Sequence, residues 1–162
     1  MKFIAASIAL ASLSAVIANA APSDLKVTGS LSAQTDAKTQ ATNCHFTRSG
    51  STLFHYGAHL GMGKTGLGSK FLSVLFEVVP YNGAGKYNAA EKVAGDTPVE
   101  VTLLTEGMPG IEEKWLATSG AVIVSNAGAQ TLSGTVDADL SPTKKKTGPI
   151  HLAGAWSCTV EK

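Results

Sequence analysis

Apolar and polar side chains alternate with a period of two along most of the chain from residue 24 onward, and this pattern restricts the possible folds more than any other feature. In the segment 54–60, one face is apolar and the other carries His55 and His59. The same alternation occurs at residues 25–33, 44–46, 99–103, 122–124, 132–140 and 150–160. This period is typical of β-strands that place one face in a core and the other in water.

Turn-forming residues separate these segments. Gly, Pro, Asn and Ser are frequent at 48–50, 61–68, 82–85, 107–110, 126–128 and 141–142, and they favour turns. Residues 21–162 contain no sustained 3.6-residue apolar repeat, so little helix is expected. We predict an all-β fold, an antiparallel β-sandwich of immunoglobulin-like or similar type with about 8–9 strands, with a small barrel as the alternative. Residues 71–79 are apolar on both faces, which predicts a central strand covered on both sides.

The first twenty residues have the organisation of a secretion signal. Lys2 supplies the positive charge, an apolar run follows at 3–17, and Ala18-Asn19-Ala20 provides small residues for cleavage. The run is too short to span a bilayer comfortably, and the C-terminus has no apolar tail. We predict a signal peptide at 1–20 and one secreted, extracellular domain at 21–162, with no membrane anchor in the mature chain.

The charge of the predicted mature chain argues against some partners. The whole chain has 13 Lys and Arg against 12 Asp and Glu, and cleavage removes Lys2. The formal charge is then zero, which gives no long-range attraction to nucleic acid or anionic lipid. We therefore predict no nucleic-acid partner.

The two cysteines, Cys44 and Cys158, both lie in the predicted mature chain. In an oxidising compartment they are expected to form a disulfide. Each cysteine belongs to the apolar face of an alternating segment, so we expect both sulfurs to point inward and to join an early strand to the last one.

Four acidic residues are candidates for catalysis. Asp137 and Asp139 project from the same side of a predicted strand, about 7 Å apart, a separation that suits glycosidase carboxylates or part of a Ca²⁺ site. Glu112 and Glu113 precede Trp115. Alternation alone also explains the two aspartates as solvated residues. A small secreted hydrolase or carbohydrate-active enzyme is thus the first alternative function.

The histidines give the second alternative, a metal-binding domain. His55 and His59 lie on one face of a predicted strand about 13 Å apart, too far to share an ion. His45 or His151 could complete a site only through tertiary contacts. We predict ordinary surface histidines, with no metal site and no cofactor.

Three aromatic residues are the strongest binding candidates. Tyr81 and Tyr87 flank a Gly-rich loop, and Trp115 follows a charged turn. If both loops lie at one end of the fold, the exposed rings could stack on a sugar or on a partner surface. Alternatively, the three rings cap the core at strand ends, as large aromatic side chains usually do.

Three strings carry a resemblance: the segments at 81–87 (YNGAGKY), 133–140 (SGTVDADL) and 154–158 (GAWSC). Together and in this order they resemble poorly characterised secreted β-domains and small lipoprotein antigens of actinobacterial type, which also pair an early cysteine with one in the last strand. The chain departs from the lipoproteins at Ala21, where their anchoring cysteine would stand. The resemblance implies a β fold and an extracellular or cell-surface role without an established activity.

We therefore predict a secreted, non-enzymatic β protein that binds an extracellular partner or surface component, either a protein or a glycan. This prediction depends on a well-patterned β domain in which the sequence shows no coherent catalytic constellation.

Overall fold

The computed structural model describes residues 22–35, 43–49, 51–62, 69–92, 98–105, 107, 110–128, 130–144 and 146–160. The predicted signal peptide lies outside these residues. The described chain forms ten strands: β1 (Asp24–Gly29), β2 (Ala33–Gln34), β3 (Asn43–Ser49), β4 (Ser51–Gly61), β5 (Lys70–Val78), β6 (Gly85–Asn88), β7 (Val99–Thr105), β8 (Ile111–Ala127), β9 (Thr131–Pro142) and β10 (Ile150–Thr159). None of the described residues belongs to a helix that could cross a membrane.

Eight of the strands close into an antiparallel barrel. The order around it is β1-β10-β9-β8-β7-β5-β4-β2, and the Gln34–Gly61 pair of β2 and β4 completes the circle before β2 returns to β1. The all-β prediction is confirmed, and the barrel alternative describes the arrangement. The alternation could not separate the two architectures, because a sandwich and a barrel both bury one face of each strand.

Two strands change partner along their length, and this gives the barrel two different ends. β8 pairs with β7 at 111–116 and with β6 at 121–124, while β9 occupies its other side. β4 likewise pairs with β3 along 51–57 and with β2 only at Gly61. We call the end where Phe54 faces Val78 the lower rim and the end where Gly61 faces Phe71 the upper rim. β3 and β6 thus belong to the wall of the lower rim.

Large side chains fill the barrel interior. Trp115, Trp156, Tyr56, Phe54 and Phe76 are all fully buried. An eight-stranded barrel encloses a space that side chains can fill. The core therefore consists of the inward faces that the alternation predicts.

β5 carries one of these inward faces and a second, less covered one. Leu72, Val74, Phe76 and Val78 are buried, whereas the outward Phe71 and Leu75 are only half-buried. The expectation of a strand covered on both sides is therefore met on the inner side alone, because the barrel has a single wall here. The outward face ends at Glu77, the one charged residue of the run 71–79.

The Cys44–Cys158 disulfide joins β3 to β10, as predicted from the sequence. The two Cα atoms are 5.8 Å apart, 114 residues separate the cysteines, and both are buried. β3 and β10 share no backbone pairing among the described residues. The disulfide therefore links two parts of the wall that hydrogen bonds do not join.

Buried hydroxyl groups form a set of hydrogen bonds beside the disulfide. Ser23 Oγ accepts a hydrogen bond from Tyr56 Oη at 2.9 Å and from the backbone nitrogen of Ser157 at 3.0 Å, and it lies 3.1 Å from the Ser157 carbonyl oxygen. Burial raises the pKa of Tyr56 to about 12, although the bond to Ser23 lowers it. Tyr56 therefore stays a neutral hydrogen-bond donor across the physiological range.

Candidate functional site

The lower rim contains a cluster of aromatic rings that extends from the core to the surface. Tyr81 lies 5.1 Å from Phe46 and 5.6 Å from Phe54, measured between ring centroids, and Phe54 lies 5.6 Å from Trp156. Tyr87 stacks on Tyr81 at 6.3 Å with an interplanar angle of 17°. Phe46 is 37% exposed, and both tyrosines are half-buried. The cluster brings Tyr81 and Tyr87 together at this rim, without Trp115.

The hydroxyl group of Tyr87 fixes the loop between β5 and β6. It donates a hydrogen bond to the carbonyl oxygen of Gly83 at 2.7 Å and accepts one from the backbone nitrogen of Asn82 at 3.1 Å. Gly83 has a φ of 90°, a conformation that glycine adopts without strain. Tyr87, which follows the loop, thus fixes the turn at Asn82 and Gly83 through its hydroxyl group. The ring and the turn are therefore held in place together.

A groove of about 300 Å³ lies between the end of β5, the start of β7 and β6. We call it the β5–β6 groove. Its polar lining consists of Glu77, Asn82, Lys86, Asn88 and Glu91, and its remaining lining of Val78, Val79, Pro80, Tyr87 and Pro98.

Glu77 lies on the β5 side of this groove and bonds to a histidine on β4. His55 Nδ1 is 2.9 Å from Glu77 Oε1, and His55 Nε2 is 3.4 Å from the hydroxyl oxygen of Thr47. The ring of His45 stacks on that of His55, with centroids 4.4 Å apart and an interplanar angle of 17°. Burial lowers the pKa of His55 below 6.5, the charge of Glu77 raises it, and His45 lowers it further.

Trp115 lies away from the two tyrosines. Its side chain is fully buried, and the indole Nε1 donates a hydrogen bond to the carbonyl oxygen of Gly148 at 3.0 Å. Gly148 lies in the connection between β9 and β10 at the upper rim. Trp115 therefore packs in the core near the opposite end of the barrel and presents no ring face to the β5–β6 groove.

Glu113, one of the acidic candidates, is buried at the upper rim and bound by backbone amides. Its carboxylate accepts hydrogen bonds from the backbone nitrogens of Lys114, Lys144 and Lys146 at 3.2, 3.1 and 3.3 Å. Burial raises the pKa of Glu113, but the amides of Lys144, Lys114 and Lys146 lower it, and the net shift is downward. Glu113 thus holds the β9–β10 connection.

Glu112 lies next to Glu113 but points to a different set of partners. It accepts hydrogen bonds from Thr105 and from the ammonium group of Lys70, the latter at 2.7 Å. The bonds from Lys70 and Thr105 lower the pKa of Glu112. The two glutamates therefore act in separate contacts and do not form a pair.

Asp137 and Asp139 project outward from β9, as predicted, and contact a histidine on β10. His151 Nδ1 is 2.9 Å from Asp139, and His151 Nε2 is 4.0 Å from Asp137. Ser119 on β8 donates a second hydrogen bond to Asp139 at 2.9 Å. The bonds from His151 and Ser119 lower the pKa of Asp139. Because the aspartate, and not the histidine, is central, this row does not have the order of a nucleophile–base–acid relay.

A second, more open depression of about 550 Å³ lies on the outer surface next to this row. It is lined by Lys86, Asn88, Ala90, Thr118, Ser119 and Gly120. Within the described parts of the chain, no three His, Cys, Asp or Glu side chains are placed to hold a metal ion.

Several groove residues do not stand out in the sequence. The positions of Glu77, Asn88 and Glu91 in the groove depend on the strand register and on the path of the loops. A single sequence reveals neither. His45 was named as a partner of His55 or His59 only through tertiary contacts, and the structure stacks it on His55. The Asn82-Gly83 turn and the flanking tyrosines were the one local signal of this site. No protein-family model, curated protein or solved structure matches this chain.

Proposed function

We propose that this protein is an extracellular, non-enzymatic binding protein that takes a hexose-sized part of a surface glycan into the β5–β6 groove. The observation that carries this proposal is the composition of the groove, in which one tyrosine ring and hydrogen-bonding groups of both kinds line a single cavity. A cavity of this type, largely pre-formed and with a few convergent polar groups, is the usual form of a small-ligand site.

The lining matches the chemistry of a neutral sugar. Glu77 and Glu91 accept hydrogen bonds, Lys86 donates them, and the amides of Asn82 and Asn88 do both. Sugar hydroxyls also donate and accept. Two carboxylates and one ammonium group leave a formal charge of −1, which does not favour a strongly charged ligand. The volume of about 300 Å³ lies at the small end of known ligand sites and suits one sugar ring.

The extracellular part of the proposal is supported by the N-terminal sequence and by the cysteines. Residues 1–20 have the features of a secretion signal. A disulfide between strands is typical of proteins in oxidising compartments. The resemblance to secreted β-domains favours the same location.

The non-enzymatic part is supported by the contacts of the acidic candidates. Glu113 binds backbone amides, Glu112 binds Lys70, and Asp139 binds His151. The contacts of Glu112 and Glu113 lie at the upper rim, and that of Asp139 lies on the outer face of β9. Each of these contacts joins two separate segments of the chain.

The test is a screen of the secreted full chain on an array of neutral and charged oligosaccharides, followed by calorimetry with lactose and with mannobiose. We expect binding to neutral glycans. Asn82→Ala or Glu91→Gln should weaken it about tenfold, the value of one hydrogen bond to a polar or charged group. Asp137→Asn, a change at a residue that is 80% exposed on β9, is the matched control and should bind normally.

Two results would overturn the proposal. One is a folded protein, confirmed by circular dichroism, that binds no glycan on the array. The other is release of sugar from a bound oligosaccharide during incubation, which would favour the hydrolase instead.

A further inference from the structure

We propose that His55 is the positioning residue of the groove carboxylate Glu77, and that protonation of His55, which its stacking on His45 opposes, makes sugar binding in the β5–β6 groove weaker in acid. This inference rests on the proposed function, since it describes how the same groove is regulated. It starts from three side chains that strand register places in one row.

The register of three adjacent strands brings His45, His55 and Glu77 side by side. His45 of β3 faces His55 of β4, and His55 faces Glu77 of β5. Residues directly opposite each other in an antiparallel sheet have Cβ atoms about 4.5–5.5 Å apart, so their side chains interact. The row therefore runs across the outer wall and ends in the groove.

The hydrogen bonds of His55 define its neutral form. An ionised carboxylate can only accept, so Nδ1 carries the proton that is donated to Glu77 across 2.9 Å. Nε2 then accepts from the hydroxyl group of Thr47 across 3.4 Å. When His55 binds a second proton, Nε2 donates to the Thr47 oxygen instead. Both forms keep both contacts, and the ring does not have to move.

The stack with His45 opposes a positive charge on His55. The centroids of His45 and His55 are 4.4 Å apart, and two positive charges at this distance repel each other. The groups that face His55 among the described side chains are His45 and Thr47 from β3 and Glu77 from β5. Protonation of His55 is opposed by burial, favoured by Glu77 and opposed by His45.

The Glu77 carboxylate differs in its strength as a hydrogen-bond acceptor between the neutral and the charged form of His55. With neutral His55, Glu77 keeps its full negative charge and accepts strongly from a sugar hydroxyl. With charged His55, the carboxylate is paired with an imidazolium and is a weaker acceptor. The other charged groups of the groove, Lys86 and Glu91, lie on β6 and the loop after it and are outside this row. The sugar is therefore held more tightly above the titration of His55 than below it.

The first measurement uses the protein without ligand. NMR titration of the histidine ring protons should give a midpoint for His55 below 6.5. Glu77→Gln should shift this midpoint down, because a stabilising negative charge is removed. His45→Gln should shift it up, because a repelling group is removed. Unchanged midpoints in both variants would overturn the inference, whether or not a sugar binds.

The second measurement is calorimetry with lactose and mannobiose at about pH 7 and about pH 5, the range in which histidines titrate. We expect binding to be about fivefold weaker in acid, the difference between a charge-assisted and an ordinary hydrogen bond. His55→Gln should remove the pH dependence, while His59→Gln, on the same face of β4, should keep it. Equal binding at both pH values overturns this inference and leaves the proposed function standing, whereas no binding at either value overturns both.

Discussion

Gly134 of β9 lies directly opposite Trp156 of β10, and the indole occupies the space that a side chain at 134 would need. A Cβ atom at this position would come within 3.0 Å of Trp156 Cζ2 and would overlap the carbonyl oxygen of Ile123. Trp156 in turn contacts Phe54, Tyr56 and Phe76. The absence of one side chain on β9 therefore makes room for the central ring of the lower rim.

We expect Gly134→Ala to destabilise the protein by about 3 kcal/mol or more, because the clash is with backbone and with a buried ring that has no space to move. Gly57→Ala is the matched control, since a Cβ atom there would meet nothing within 4 Å. Urea denaturation followed by tryptophan fluorescence measures both. A Gly134→Ala variant as stable as Gly57→Ala would contradict the packing described for Trp156.

Loss of the disulfide should lower stability without changing the core. The Cys44→Ala/Cys158→Ala double variant is expected to lose about 4 kcal/mol, as loop-closure entropy predicts for a link of this span. The urea m value should rise, because the unfolded chain becomes more extended. If the double variant unfolds at the same urea concentration as the oxidised protein, the covalent link between β3 and β10 does not contribute to the stability of the fold.

Glu113 should make stability depend on pH in the acid range. Its pKa in the folded protein lies below the ordinary value of 4.5, so its stabilising effect is complete above pH 4.5 and is lost as the pH falls through the folded value. In Glu113→Gln, only the side-chain oxygen can accept hydrogen bonds from the backbone amides, because the side-chain nitrogen is a donor. We expect its Tm to be lower than that of the wild type at neutral pH, with the difference shrinking in acid. A difference that stays constant with pH would show that Glu113 does not act through its charge.

The inner surface of the barrel could be predicted from the sequence because alternation assigns each side chain to a face. Leu25 and Val27 of β1 and Leu152 of β10 are buried as their positions require. The disulfide could also be predicted, since only two cysteines were present and both belonged to apolar faces. These features depend on local periodicity and composition, which are visible in each segment without knowledge of its neighbours in space.

Closure and partner exchange could not be predicted in this way. The barrel closes through Gln34 and Gly61, and β2 is only two residues long, too short to show a period. β8 continues through Gly120, whose φ is 108° and where a Cβ would overlap the carbonyl oxygen of Asp137. This glycine lies inside a 17-residue strand, next to the register shift between Ala117 and Ser119, and no predicted turn or strand included it.

The candidate site was predicted only in part, for the same reason. Tyr81 and Tyr87 flank a loop and could be recognised as a local pair. The contact of His55 with Glu77 depends on which strands are neighbours and on their register. Trp115 looked similar to the tyrosines in sequence, but its position on β8 directs the ring into the core.

The pairing of β1 with β10 has a consequence for the order in which the protein can fold. Asp24 faces Ala155, and six residues of β1 pair with β10, whereas only two pair with β2. The disulfide also depends on β10, because residue 158 must be present before Cys44 can be oxidised with it. A chain under synthesis cannot complete the barrel until β10 is present, because β10 lies between β1 and β9. A chain that ends before residue 150 lacks β10 and therefore loses both the β1–β10 pairing and the disulfide.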